Sequence, residues 1–238
     1  MDFLQLINND GGLPKKSVSA IGIDLGTTNS TVAEAAYDPA SGSVRVRCLE
    51  LAQATTDGES IHVLVPSVVA LYEGKEWVGE GAKRLLARSG EKNLALYKDV
   101  FFQCKNEVGT RKEYPRASAG YRSPAEIGGR VLSFLHDSAV SDLDNTPDRA
   151  VVTVPASFQV AQRNDTFKAC EIAGLDVEGG GLLDEPVAAF LDYLCTYGDQ
   201  IAGKLDEPKN LVVFDFGGGT CDVAVFEIGM DSHSHGLK

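Results

Sequence analysis

"LVVFDFGGGTCDVAVFEIG", residues 211–229, places an acid, three glycines and a threonine between two apolar runs. The runs on either side read as strands, and the glycines between them as the bend of a hairpin. Glycine at a bend permits positive φ and lets backbone N–H groups approach an anion, while a threonine hydroxyl donates to phosphate oxygen. An aspartate at the same tip repels phosphate unless a cation lies between them. Mg²⁺ held through water fits, because it keeps several waters and takes one or two carboxylates together with phosphates. A stretch of this kind, taken alone, is equally a plain hairpin that binds nothing.

A second copy changes the balance. "AIGIDLGTTNSTVAEA", residues 20–35, again sets an apolar strand, Asp24, Gly26, Thr27 and Thr28 before a further apolar strand. Two near-repeats so far apart point to a duplicated fold with one element in each half. Two such tips facing each other would clamp a polyphosphate from both sides.

The chain between them alternates strands and helices. A strand is expected from about Val18 to Leu25, a tight turn over Gly26 to Thr28, and a second strand with Val32 and Ala33. "SVRVRCLEL" (43–51) alternates as a half-buried strand does, and "IHVLVPSVVALY" (61–72) reads as strand interrupted at Pro66. A short helix is expected over Gly81 to Ser89. "SPAEIGGRVLSFLHDSAV" (123–140) carries Ser123 as N-cap, Pro124 at the first position and Glu126 to close a capping box, with Ile127, Val131, Phe134 and Leu135 on one face. "RAVVTVP" (149–155) is a short buried strand. Two further helices follow, one ended by Gly174 and one ended by Gly198. The plan is α/β with a mixed sheet.

Composition narrows the function classes. The chain has 238 residues and is 43% hydrophobic, enough for one large domain or two small ones. No window approaches the ~18 apolar residues of a membrane helix, and the start makes a poor signal peptide, so a cytoplasmic location is expected. The five cysteines are scattered and never form CxxC, which argues against a disulfide framework or a zinc site. A net charge of −12, without clustered Lys and Arg, argues against a nucleic-acid-coating surface. "GDQIAGKL" (198–205) nearly fits a Walker A loop, but Leu205 replaces the Mg²⁺-binding Ser or Thr and a helix precedes it. "HSH" (233–235) is read as polar tail.

"IGIDLGTTNS", "VVTVPASFQVAQR", "EIAGL", "LLDEPVAAFLDY" and "VVFDFGGGTCDVAVFE", in this order from Ala20 to Glu227, resemble the ATPase domain of the 70-kilodalton heat-shock chaperones (DnaK type) within the actin and sugar-kinase superfamily. The resemblance implies an actin-like (ribonuclease H-like) ATPase fold that binds ATP or ADP with Mg²⁺. On that likeness Asp24, Thr27 and Thr28 touch Mg²⁺ waters and phosphates, with Gly26 and Asn29 in the same loop. Asp215 faces them, and Gly217, Gly218, Gly219 and Thr220 hold the β- and γ-phosphates. Glu185 corresponds to the carboxylate that orients the attacking water, although the residues alone allow a helix-start acid. Lys98 is the candidate γ-phosphate lysine, although Asp99 stands where the family has Arg, and a solvated surface charge is the other reading. Pro155 and Arg163 match residues that couple nucleotide state to substrate release, but Ser157 replaces the usual aromatic.

The resemblance further implies the following division: an N-terminal extension (1–17), a first lobe (18–207) with an outer insertion at about 52–122, the opening hairpin of a second lobe (208–229), and a tail (230–238). ATP-driven chaperoning is the expected function of the longer protein, with clients and co-chaperones reached through other domains. A sugar kinase of the same superfamily and a non-enzymatic module with this fold are the alternatives. With most of the second lobe outside the chain, weak ATP binding without steady turnover is expected, and the 211–228 hairpin is expected to dimerise or fray.

Overall fold

The computed structural model describes residues 14–177, 181–202, 207–216 and 221–229, except for the side chains of 198–202 and 221–222. A six-stranded mixed sheet forms the centre. β1 (Val18–Asp24), β2 (Asn29–Asp38) and β3 (Ser43–Cys48) make an antiparallel meander. The far edge of β1 pairs in parallel with β10 (Arg149–Val154), and β10 in turn with β11 (Leu182–Asp184). The order is β11-β10-β1-β2-β3, with β6 (Val65–Pro66) added to β2. Between β3 and β10 the chain builds a smaller layer, consisting of the hairpin β4 (Leu51–Thr55)–β5 (Gly58–His62) and the three-stranded sheet of β7 (Val68–Tyr72), β8 (Lys75–Val78) and β9 (Val100–Phe102). Helix α1 (Glu80–Ala87) packs on that layer.

Two long helices cover the central sheet. α2 (Pro124–Leu143) opens on the expected capping box: Ser123 Oγ accepts from the Glu126 N–H, and the Glu126 carboxylate accepts from the Ser123 N–H. Its buried face runs through Ile127, Val131, Leu132 and Leu135, and Phe134 lies at the flank of that face instead of within it. α3 (Val160–Ile172) packs beside α2 and ends, as expected, near Gly174, whose φ of 68° favours glycine. Ile21, Ile23, Val32, Val152, Ile127, Leu135 and Cys170 belong to one buried core.

Two expectations are corrected, and one strand was not foreseen. "SVRVRCLEL" is two strands in different sheets: β3 is exposed along its whole length instead of half-buried, and burial begins only with Leu49 and Leu51, on either side of Glu50. β11, three residues long, had no alternation to reveal it. α4 (Glu185–Ala202) runs through Gly198 instead of stopping there. Glycine within a helix costs only ~1 kcal/mol, and the residues after it continue the turn. That same helix removes the strand a Walker loop needs ahead of it. The closing hairpin, β12 (Lys209–Phe216) and β13 (Cys221–Ile228), lays one face on α4, where Phe226 stacks on Phe190 at 6.5 Å.

Candidate nucleotide site

The site begins where β1 ends. The turn from Leu25 to Thr28 closes on Gly26, where a Cβ would collide with the Asn29 carbonyl oxygen. Two hydroxyls brace it from beneath. Ser30, buried, accepts from the Gly26 N–H at 3.2 Å, Ser67 donates to the Gly26 carbonyl at 2.7 Å, and the two Oγ atoms lie 2.9 Å apart. Satisfied buried hydroxyls hold a loop more firmly than apolar packing alone would. Thr28 and Asn29 are exposed on the outer side of this loop. Asp24 faces solvent, oriented by Thr153, whose hydroxyl donates to its Oδ1 at 3.0 Å.

Opposite, Glu185 is the first residue of α4. The parallel strand β11 delivers it, so the carboxylate starts where the helix dipole favours negative charge. Its partner is Lys105, on the 3₁₀ turn Cys104–Glu107, with Nζ 2.6 Å from Oε1 and both side chains about one-eighth exposed. Burial pushes the Glu185 carboxyl above its ordinary value; Lys105 pulls it down, and the charges of Asp24 and Asp215 push it further up. Glu185 thus feels the charges of Asp24 and Asp215, and Lys105 is the lysine paired with it. Asp215 lies half-buried near the end of β12.

Among the described residues no three His, Cys, Asp or Glu side chains come close enough to hold a metal directly; Asp24 and Asp215 are carboxylates of the kind that hold Mg²⁺ through its waters, with few direct ligands. Gly217, Gly218, Gly219 and Thr220 lie outside the described residues, as do His233 and His235.

Other anticipated residues are placed as follows. Lys98 is half-exposed, with Nζ 3.6 Å from Asp99 on its own loop, and the lysine at Glu185 is Lys105. Thr27 points its hydroxyl at Asn106, next to Lys105, at 3.3 Å. Pro155 is buried after β10, and Arg163 donates to Asp184, the residue before Glu185, at 2.6 Å. Ser157 is exposed. Lys105, Asn106, Thr153 and Ser67 escaped the sequence reading. The polar run "KNE" between the apolar Cys104 and Val108 was the available signal for the first two.

The family described as Hsp70 protein matches residues 20–232 of this chain. The chain belongs to the Hsp70 family. Its matched region is the N-terminal ATPase region of Hsp70 proteins, and the mixed sheet with its flanking helices is the actin-like α/β fold. Among its relatives are the chaperone protein HscA homologs of Acinetobacter baumannii strains AYE and ACICU, each 35% identical over 223 residues. The alignment covers 89% of this chain and 33% of each relative, so this Hsp70 chain spans about a third of their length. Among its described residues no helix is long and apolar enough to cross a membrane.

Proposed function

We propose that this chain binds ATP and ADP with Mg²⁺ between its two hairpin tips, and that in a longer Hsp70 protein hydrolysis at this site drives the folding or remodelling of client proteins. The observation that carries the reading is the Lys105–Glu185 pair set against Asp24 and Asp215. Phosphoryl transfer asks mainly for positioning and charge stabilisation. The Asp24 and Asp215 carboxylates would hold the waters of Mg²⁺, which neutralises phosphate charge when bound. The Gly26–Thr28 loop and residues 217–220 would cradle the phosphates, with Thr27, Thr28 and Thr220 as donors and Asn29 beside them. Glu185 would orient the attacking water, and Lys105 would both hold Glu185 and meet the γ-phosphate, the role first expected of Lys98. Pro155 and Arg163 would pass nucleotide state onward to client-binding domains and co-chaperones.

On this reading residues 18–207 form the first lobe and 208–229 open the second, and base contacts lie mostly in the second, so weak ATP binding without steady turnover is expected of the 238-residue chain. Titration calorimetry with Mg·ADP and Mg·ATP tests it. Asp24→Asn and Asp215→Asn should each weaken Mg²⁺-dependent binding, and Glu185→Gln should leave it unchanged. In a chain extended to the length of its relatives, Glu185→Gln should lower the single-turnover hydrolysis rate by ~10²-fold. Nucleotide affinity independent of Asp24 and Asp215, or an unchanged hydrolysis rate, would refute the assignment.

A further inference from the structure

Among the described hydrogen bonds, one joins the segment that carries Lys105 to α3. The Gly109 N–H donates to Asp165 Oδ2 at 2.8 Å, and Gly109, at φ 76°, sits so close to α3 that a Cβ would lie 2.7 Å from the Gln162 backbone nitrogen. Cys104 and Val108 are buried here, but a cavity of about 30 Å³, lined among others by Cys104, Val108, Thr166 and Ala169, leaves the apolar contact between the turn and α3 incomplete. A gap of that kind forfeits the dispersion contacts that would otherwise fix the backbone. Two residues earlier on the same helix, Arg163 reaches Asp184, the residue before Glu185. Side chains two apart on a helix point to nearly opposite sides. α3 therefore holds the two segments that carry Lys105 and Glu185, through Asp165 at Gly109 and through Arg163 at Asp184.

We propose that Asp165 is a positioning residue, which sets the reach of Lys105 to Glu185 through its hydrogen bond with the Gly109 N–H. Its relevance to hydrolysis rests on the function proposed above, whereas the positioning itself does not. Burial pushes the Asp165 carboxyl up, but the bonds from Lys168 and Gly109 outweigh that and hold it below the ordinary carboxylate range, so it accepts as a carboxylate at neutral pH. Charge-assisted bonds of this kind are about twice as strong as neutral ones. Without it the turn keeps Glu107 and Tyr114, joined at 2.6 Å, but nothing among the described bonds ties its Gly109 end to α3.

The test needs no nucleotide, so failure of the ATPase reading would leave it standing. Two magnetic-resonance readouts on the 238-residue chain serve: exchange of the Gly109 amide, and the side-chain ammonium resonance of Lys105, which is slowed in proton exchange by its ion pair and assigned by its loss in Lys105→Met. In Asp165→Ala the Gly109 amide should exchange about tenfold faster and the Lys105 resonance should broaden or vanish. Asp165→Asn, which keeps an acceptor oxygen, should retain both signals in weakened form. Lys168→Ala removes only the solvent-side partner of Asp165 and should change neither. A Lys105 resonance unmoved in Asp165→Ala would overturn the proposal, as would its loss in Asp165→Asn to the same extent as in the alanine variant. If Asp165→Ala does not fold, the asparagine and Lys168 variants decide between the same outcomes.

Discussion

Removing Lys105 should damage the fold as well as the chemistry, by an amount the site's geometry bounds. At 2.6 Å the pair would attract by about 6 kcal/mol in a medium of effective dielectric about 20, which is a ceiling before desolvation is subtracted. Breaking a fully buried pair from one side costs about 3–5 kcal/mol. This pair retains about one-eighth of its exposure, so about 2 kcal/mol is expected for Lys105→Met, a fall in Tm of roughly 4–8 °C for a chain of this size. Glu185→Gln should cost about 1 kcal/mol, because it keeps an acceptor for Lys105 and removes repulsion from Asp24 and Asp215. The double variant should cost no more than about 1 kcal/mol, since neither ion is left without its partner, which gives a coupling of about 2 kcal/mol. The pH dependence has a definite sign. Glu185 is raised above its ordinary value in the fold, so folding favours its protonated form, and the extra penalty of Lys105→Met over the double variant is full above that raised pKa and lost as pH falls through it. Urea melts of the four proteins at about pH 8 and about pH 5 measure both quantities. A coupling below about 0.5 kcal/mol, or a penalty that does not shrink toward acid pH, would refute the argument.

Burial pushes the Cys104 and Cys170 thiols up to about 12. In the native chain at about pH 8 both should alkylate at least ~10³-fold more slowly than the exposed Cys48; peptide mass spectrometry reads the rates, and comparable labelling of the three would contradict the core as described. The outer face of the closing hairpin exposes Val212, Phe214, Val223 and Val225, with Phe214 62% exposed. Such a face should drive a concentration-dependent dimer through 211–228. Sedimentation should show the dimer for the full chain and none for a version ending at Glu207; monomers in both would remove this prediction.

Legibility in the sequence followed the distance over which information had to act. Asp24, Gly26 and the hydroxyls beside them stand in one contiguous pattern, and so do the Ser123 capping box and the start of α4 at Glu185. Each is settled by neighbours within a few residues. Lys105 is different, because its meeting with Glu185 spans 80 residues and depends on where α3 and β11 set both partners. The sequence pattern put Lys98 forward instead, and in the fold its ammonium lies 3.6 Å from Asp99. Thr153 was invisible as a site residue for a similar reason: within "RAVVTVP" it is only a strand residue, and pairing in register with Asp24 makes it a partner. The split of residues 43–51 between two sheets went unseen because alternating residue types suggest a strand with one buried face, whereas β3 is exposed on both faces and alternation does not say which sheet a strand joins.

The parallel pairing of β1 with β10 also governs time. Asp24 and its partner Thr153 are 129 residues apart, whereas the antiparallel meander that completes the other flank of β1 is finished by Cys48. During synthesis at about 5–20 residues per second, β10 emerges roughly 5–20 s after that meander is complete. Through that interval β1 has one open edge, with Ile21 and Ile23 not yet covered by Val152 and α2, and an open apolar edge pairs with whatever strand is offered. The length of the chain between β3 and β10 therefore works as a delay, and shortening that segment would shorten the period in which the nascent protein can mispair.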